Sequence, residues 1–219
     1  MSNSQKILCS WSGGKDSCFA LMLAIENGYV PTVLLNVLNE EGKISRSHGI
    51  PAAILQAQAN AMQLPIHLVA ASWQTYEQQF TNALKTLRAE YSISAAVFGD
   101  IDLQAHRDWE EKVCDHAGLI AVLPLWKKDR KALVLQMLDA GIKTMIVSCN
   151  ETIGKDFLGQ YLTPKLIDTL EALGIDACGE NGEFHTLVTD CSLFKHPISV
   201  DVVAKLHHEG YWFSELVMA

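Results

Sequence analysis

The sequence predicts an α/β chain: a doubly wound, five-stranded parallel sheet over residues 1–125, Rossmann-like in outline, followed by a smaller C-terminal α+β domain over residues 126–219. Three observations predict it. Short apolar runs alternate with helically spaced stretches, giving four β-α pairs and a fifth strand, and such alternation builds a parallel sheet with helices on both faces. The run Thr32–Leu38 (TVLLNVL) is almost continuously apolar, as suits a strand buried on both sides. After Pro124-Leu125-Trp126 the alternation stops and the texture becomes mixed. Right-handed crossovers make double winding the default arrangement for the first part.

The elements follow in order. Lys6–Trp11 (KILCSW) is a strand that ends in a Ser/Gly loop, and a helix runs from Asp16 until Asn27-Gly28 stops it. Thr32–Leu38 is the second strand. Ala52–Met62, placed just after Pro51, is a helix, and Ile66–Ala70 is a strand. Tyr76–Tyr91 is a long helix, Ala95–Phe98 a short strand ending in Gly99-Asp100, Asp108–Ala117 a helix and Leu119–Leu123 a strand. Beyond the boundary, Asp129–Ala140 and Pro164–Leu173 are helical and Thr144–Ser148 is a strand. Cys178–Thr186 is a polar stretch, and Val188–Ala219 is mixed and partly β.

Composition narrows the class. The 219 residues carry a net charge of -8, from 17 basic and 25 acidic side chains, with 49% hydrophobic residues. That balance supports a real core and disfavours nucleic acid as a partner, since no dense basic patch is present. The longest basic run, Lys127-Lys128-Asp129-Arg130-Lys131, contains an aspartate and reads as a solvated helix start or a docking site for an anion. The polar start Met1–Gln5 lacks the apolar centre of a signal peptide, and no 18-residue apolar run follows, so a cytoplasmic protein with no membrane segment is expected. Six scattered cysteines form no C-x-x-C pair, which argues against a zinc ribbon or dithiol motif and for buried free thiols. The oligomeric state is left open, with a homodimer as the simplest assembly.

Ser12-Gly13-Gly14-Lys15-Asp16-Ser17 lies between the first strand and the first helix. Two glycines let backbone approach a ligand, and the helix N-terminus beyond them offers unpaired N–H groups to an anion. Lys15 adds a charge, and Ser12 and Ser17 add hydroxyl donors. Asp16 can cap the helix, hold Lys15 or help carry Mg²⁺. Ser10, closing the strand, joins this nucleotide-binding set. The string is neither the G-x-x-x-x-G-K-[ST] loop nor the dinucleotide fingerprint.

In a sheet of order 3-2-1-4-5 the first and fourth strands flank the point where winding reverses, and ligands bind there. Gly99-Asp100 should therefore face the same crevice as the Ser/Gly loop. Asp100 is a candidate for Mg²⁺ or substrate, or a helix cap. Arg107 can hold a carboxylate or phosphate, or lie on the surface. His48, in the loop after the second strand, lines a nucleotide pocket or is a plain loop histidine. Cys178-Gly179-Glu180-Asn181-Gly182-Glu183-Phe184-His185-Thr186 gathers two carboxylates, an imidazole and a hydroxyl, a set fit for acid–base work, Mg²⁺ or an amine. Cys178 reads as an inert thiol, since nothing local would lower its pKa.

The Ser12–Ser17 string resembles the pyrophosphate loop of the N-type ATP pyrophosphatases, a superfamily that includes GMP synthetase, asparagine synthetase, argininosuccinate synthase and tRNA-thiolating enzymes. Four segments together resemble one branch, the diphthine–ammonia ligase family: Ser12–Ser17, Gly99-Asp100-Ile101, Pro124-Leu125-Trp126 and Glu180–Thr186. In the last of these, Asn181 stands where the family pattern has Gly and His185 where it has an acid. The resemblance spans Lys6 to about Pro197. It implies an adenine nucleotide alpha hydrolase type of fold, ATP and Mg²⁺ as cofactors, and adenylation of a carboxylate with release of AMP and pyrophosphate. Ammonia would then displace AMP. Ser10, Ser12, Gly13, Gly14, Lys15, Asp16, Ser17, His48 and Gly99 would bind nucleotide, and Asp16 and Asp100 the metal. Lys15, Asp100, Glu180, Glu183 and His185 would be catalytic, with Arg107 and Thr186 contacting a small or protein-bound carboxylate. A tRNA-modifying adenylase and a non-catalytic ATP- or AMP-binding sensor are the alternatives.

Overall fold

A computed structural model describes residues 5–219. Met1–Ser4, most of the polar start, lie outside the described residues. The first five strands are β1 (Lys6–Ser10), β2 (Val30–Leu38), β3 (Ile66–Ala70), β4 (Ala95–Val97) and β5 (Ile120–Val122). They form one all-parallel sheet in the order β3-β2-β1-β4-β5. The intervening helices are α1 (Lys15–Glu26), α2 (Ala52–Met62), α3 (Tyr76–Tyr91) and α4 (Gln104–Ala117).

Side-chain alternation explains the double winding. Ile7 and Cys9 of β1, with Leu34 of β2 and Ala95 and Val97 of β4, pack in one apolar cluster with α1 and α2. Their neighbours Leu8, Val33, Leu35, Val37 and Ala96 face the other way, into a second cluster with Phe80, Leu84 and Leu87 of α3 and Val113 of α4. A strand with apolar residues on both faces needs cover on both, which helices supply.

The C-terminal part contains α5 (Arg130–Asp139), β6 (Lys143–Asn150), α6 (Pro164–Ala172), β7 (Phe184–Asp190), β8 (Val200–His208) and β9 (Tyr211–Met218). Its antiparallel sheet has the order β7-β6-β9-β8. The α1–α2 cluster continues without a break into Met145, Val147, Leu187 and Val188 of this sheet and Leu133 and Ile167 of α5 and α6. The stretch read as mixed holds the end of β7 and all of β8 and β9. β8 and β9 form a hairpin whose two turn residues, Glu209 and Gly210, both have positive φ (48° and 80°), the conformation favoured in tight hairpins.

α4 starts at Gln104, not Asp108. Its first turn is polar and lacks apolar spacing, and it is held by Gln104 donating to Asp108 (2.7 Å) and His106 meeting Asp100 (2.6 Å). The basic run is a solvated helix start in which Asp129 caps α5 by accepting from the Ala132 N–H at 2.9 Å. Among the described residues, no helix is long and apolar enough to cross a membrane. All six cysteines are buried and free.

Candidate active site

The turn after β1 is held from outside its own segment. The Val188 N–H of β7 donates to the Gly13 carbonyl at 2.9 Å, and Gln58 of α2 bridges the Gly13 and Val188 carbonyls at 3.0 and 2.7 Å. The Trp11 indole donates to Gln58 Oε1 (2.9 Å), which orients that amide. The Lys15 N–H donates to Thr186 Oγ1 at 3.1 Å. Gly13 has φ +87°, and a Cβ on Gly14 would lie 2.9 Å from His48 Nε2 and from the Thr186 carbonyl. A Cβ on Gly99 would lie 2.7 Å from the backbone of Asp16 and Ser17, so β4 and α1 meet at a point only glycine fits.

A cavity of about 980 Å³ opens at this end of the sheet. Its floor is Ser10, Ser12, Asp16 and Ser17, with Gly99 and Asp100 beside them. Residues from the C-terminal part, Glu180 and His185 among them, roof it, and His48 lines it from the loop after β2. Ser12 and Ser17 share a hydrogen bond between hydroxyls (3.1 Å), and Gly14 N–H donates to Ser12 Oγ at 3.3 Å. The roof is tied down by Arg130, which pairs with Asp102 (2.6 Å) and with Asp176 and donates to Asn181 Oδ1 at 3.2 Å.

Electrostatics divides the carboxyl groups. Glu110 is 3% exposed, and burial together with neighbouring Asp100 pushes its pKa up to about 11, so it carries a proton. Burial raises Asp100 too, but hydrogen bonds from His106 and Glu110 outweigh this and hold it below the usual range. Glu180 accepts from the Ile101 N–H at 3.1 Å, and burial with nearby Asp16 brings it to about 7. His48 and His185 stack with ring centroids 4.5 Å apart. Burial keeps both neutral, His185 at about 4 and His48 well below its usual value.

Four expected site residues are placed differently from the rest. Lys15 is 2% exposed and does not line the cavity; its ammonium donates to the Cys178 carbonyl (2.5 Å) and Asp16 Oδ2 (2.9 Å). Burial works against that charge, yet Asp16 and other negative neighbours raise its pKa above the usual lysine value. Thr186 is buried, its hydroxyl engaged by Lys15 N–H. Glu183 folds back on its own turn, accepting from Asn181 N and Nδ2 at 3.0 Å, and is not a cavity wall. Arg107 is not a cavity wall; it donates to Glu111 (2.7 Å) and its guanidinium sits 5.0 Å from the Trp126 ring centroid. Gly13 and Gly14, also expected to bind nucleotide, do not line the cavity either. Cys178 is no candidate nucleophile, since burial raises its thiol to about 12.

Residues 5–121 match the family described as diphthamide synthase N-terminal domain, and residues 129–217 match diphthamide synthase C-terminal domain. The chain belongs to the diphthamide synthase family. Several curated proteins named diphthine–ammonia ligase are similar to it. The mouse protein is 27% identical over 229 residues, covering 93% of this chain and 85% of its own length. The human protein is 28% identical with the same coverage. That of Schizosaccharomyces pombe is 31% identical over 217 residues, 88% of this chain but 36% of the longer relative.

In this diphthamide synthase chain, sequence reasoning missed a group of cavity residues: Trp73, Tyr76, Phe98, His106, Trp109 and Glu110. Trp73 precedes α3, Tyr76 opens it, and Trp109 and Glu110 belong to α4. The available signal was an aromatic and a carboxyl adjacent in a helix otherwise polar, which reads equally as core packing. The packing of α3 against α4 on one face of the sheet brings Tyr76, Trp109 and Glu110 to the site.

Proposed function

We propose that the protein is an ATP-dependent ligase that adenylates a carboxylate and amidates it with ammonia, releasing AMP and pyrophosphate, with a diphthine-like acceptor. One observation carries this reading: the Ser12–Ser17 loop, an anion-binding helix N-terminus, opens into the same cavity as Asp100, Glu180 and His185. The names of the similar proteins agree with it.

The residues fit ATP with Mg²⁺. The Ser12 and Ser17 hydroxyls and the first-turn N–H groups of α1 beyond Lys15, whose own N–H is taken by Thr186, are donors suited to phosphate oxygens. Asp16 Oδ1 is buried and has no hydrogen-bond partner. Among the described residues no three His, Cys, Asp or Glu side chains converge as a metal site. Mg²⁺ is commonly held by one or two carboxylates with phosphate oxygens and waters, and Asp16 and Asp100 would serve. There it would neutralise phosphate charge.

Lys15, fixed by Asp16 and the Cys178 carbonyl, locks the loop to the roof and adds positive charge beneath the phosphates. The acceptor carboxylate attacks the α-phosphorus and pyrophosphate leaves. Ammonia then attacks the acyl carbon and AMP departs. Glu180, near 7, or neutral His185 takes the proton lost by nitrogen. Turnover of ATP with ammonium and candidate carboxylates, with nucleotides separated by chromatography, tests the reading. AMP and pyrophosphate are expected, and ADP as the main product overturns it.

A further inference from the structure

Arg130 stands where a helix has little use for it. It opens α5, and a helix N-terminus favours negative charge, while Asp129 already caps this one. The guanidinium instead reaches two carboxylates from different parts of the chain. Nε and Nη2 fork onto Asp102 Oδ2 and Oδ1 at 2.9 and 2.6 Å, and Nη1 donates to Asp176 Oδ2 and to Asn181 Oδ1 (3.2 Å). Both acids have a further task beside the cavity. Asp102 follows Ile101, whose N–H donates to Glu180 Oε1 at 3.1 Å. Asp176 uses its other oxygen, Oδ1, to accept from the Cys178 N–H at 2.7 Å and the Glu180 N–H at 3.4 Å, which closes the turn that carries Glu180. The Arg130 carbonyl accepts from the Cys178 thiol at 3.0 Å, a further tie to the same turn.

We propose that Arg130 is a positioning residue for Glu180: by holding Asp102 and Asp176 at a fixed separation, it sets where the Glu180 carboxyl sits over the cavity. Arg130 does not line the cavity, so it acts through these partners. Its planar fork suits the task, because two N–H groups meet one carboxylate while another reaches a second. A lysine would supply a point charge unable to span both. Without the cation, Asp102 and Asp176 would repel one another, and the turn bearing Glu180 would part from Ile101. The adjacent Lys131 gives a contrast. It pairs with Asp168 and Glu171 of α6 at 3.0 and 2.5 Å, and neither partner lines the cavity. That Glu180 takes a proton during turnover rests on the ligase reading; its placement by Arg130 does not.

The first measurement therefore needs no turnover. Amide hydrogen exchange of the nucleotide-free protein, followed residue by residue by NMR, compares wild type with Arg130→Ala, Arg130→Lys and Lys131→Ala. Arg130→Ala should speed exchange about tenfold or more at the Ile101, Cys178 and Glu180 amides, whose hydrogen bonds depend on the clamp. Continued protection of β1 and β2 shows that each variant is folded. Arg130→Lys should follow Arg130→Ala at Cys178 and Glu180, and Lys131→Ala should match wild type. Turnover gives the second measurement. Arg130→Ala should lower kcat about tenfold with KM for ATP changed less than about threefold, and adding it to Glu180→Gln should lower kcat no further, since residues acting through one group are not additive. Unchanged exchange at Ile101 and Glu180 in folded Arg130→Ala, full protection in Arg130→Lys, or additive losses of kcat would overturn the proposal. A wild type that makes ADP in place of AMP overturns the ligase reading and leaves the exchange result standing.

Discussion

Glu110 offers a way to measure the field inside the cavity. Its carboxyl is raised from 4.5 to about 11 by burial and by Asp100. Between pH 7 and 9 the folded chain keeps this proton, while the unfolded chain has lost it. The native state then binds one more proton than the unfolded state, and stability falls as pH rises, by about 1.4 kcal/mol per pH unit. Glu110→Gln removes the ionisation but retains a donor for Asp100 and nearly the same volume. The variant should be more stable than wild type at neutral pH, and the gap should widen by about 2.7 kcal/mol from pH 7 to pH 9. Thiols and histidines that titrate nearby are common to both proteins and cancel in the difference. Urea unfolding at pH 7, 8 and 9 in sodium chloride, followed by far-ultraviolet circular dichroism, gives the two curves. Parallel curves, or a less stable variant, would refute the protonated buried carboxyl.

Gly99→Ala places a methyl 2.7 Å from helix backbone that cannot swing aside, so a loss of about 1–3 kcal/mol and weaker ATP binding are expected from thermal melting and nucleotide titration. Thr186→Val leaves the buried Lys15 N–H without its acceptor and should cost about 1–3 kcal/mol in denaturant, while Thr186→Ser stays near wild type. The two glutamates of the roof should separate in steady-state kinetics. Glu180→Gln lowers kcat because Glu180 lines the cavity, and Glu183→Gln leaves kcat and KM within about twofold because its carboxylate serves the turn. Equal losses from both would show that the roof acts as one structural unit.

The sequence alone determined the parallel sheet and the position of the Ser12–Ser17 loop between its first strand and first helix. These depend on local chemistry: apolar alternation on both faces of β1, β2 and β4, glycines at a strand–helix turn, and hydroxyls flanking a lysine. It also marked Gly99-Asp100 and the Glu180–Thr186 cluster as segments of interest. Tertiary structure alone decided which way their side chains face. Lys15 points into the roof because its partner, the Cys178 carbonyl, is far away in sequence, while Glu183 turns onto its own turn and Arg107 toward Glu111 and Trp126. The four-stranded antiparallel sheet was hidden for a related reason. Its strands β6, β7 and β9 pair across long separations, and such strands take their register from their neighbours. The aromatic and acidic wall of the cavity exists only where α3 packs against α4, and no spacing along a single helix records a contact between two.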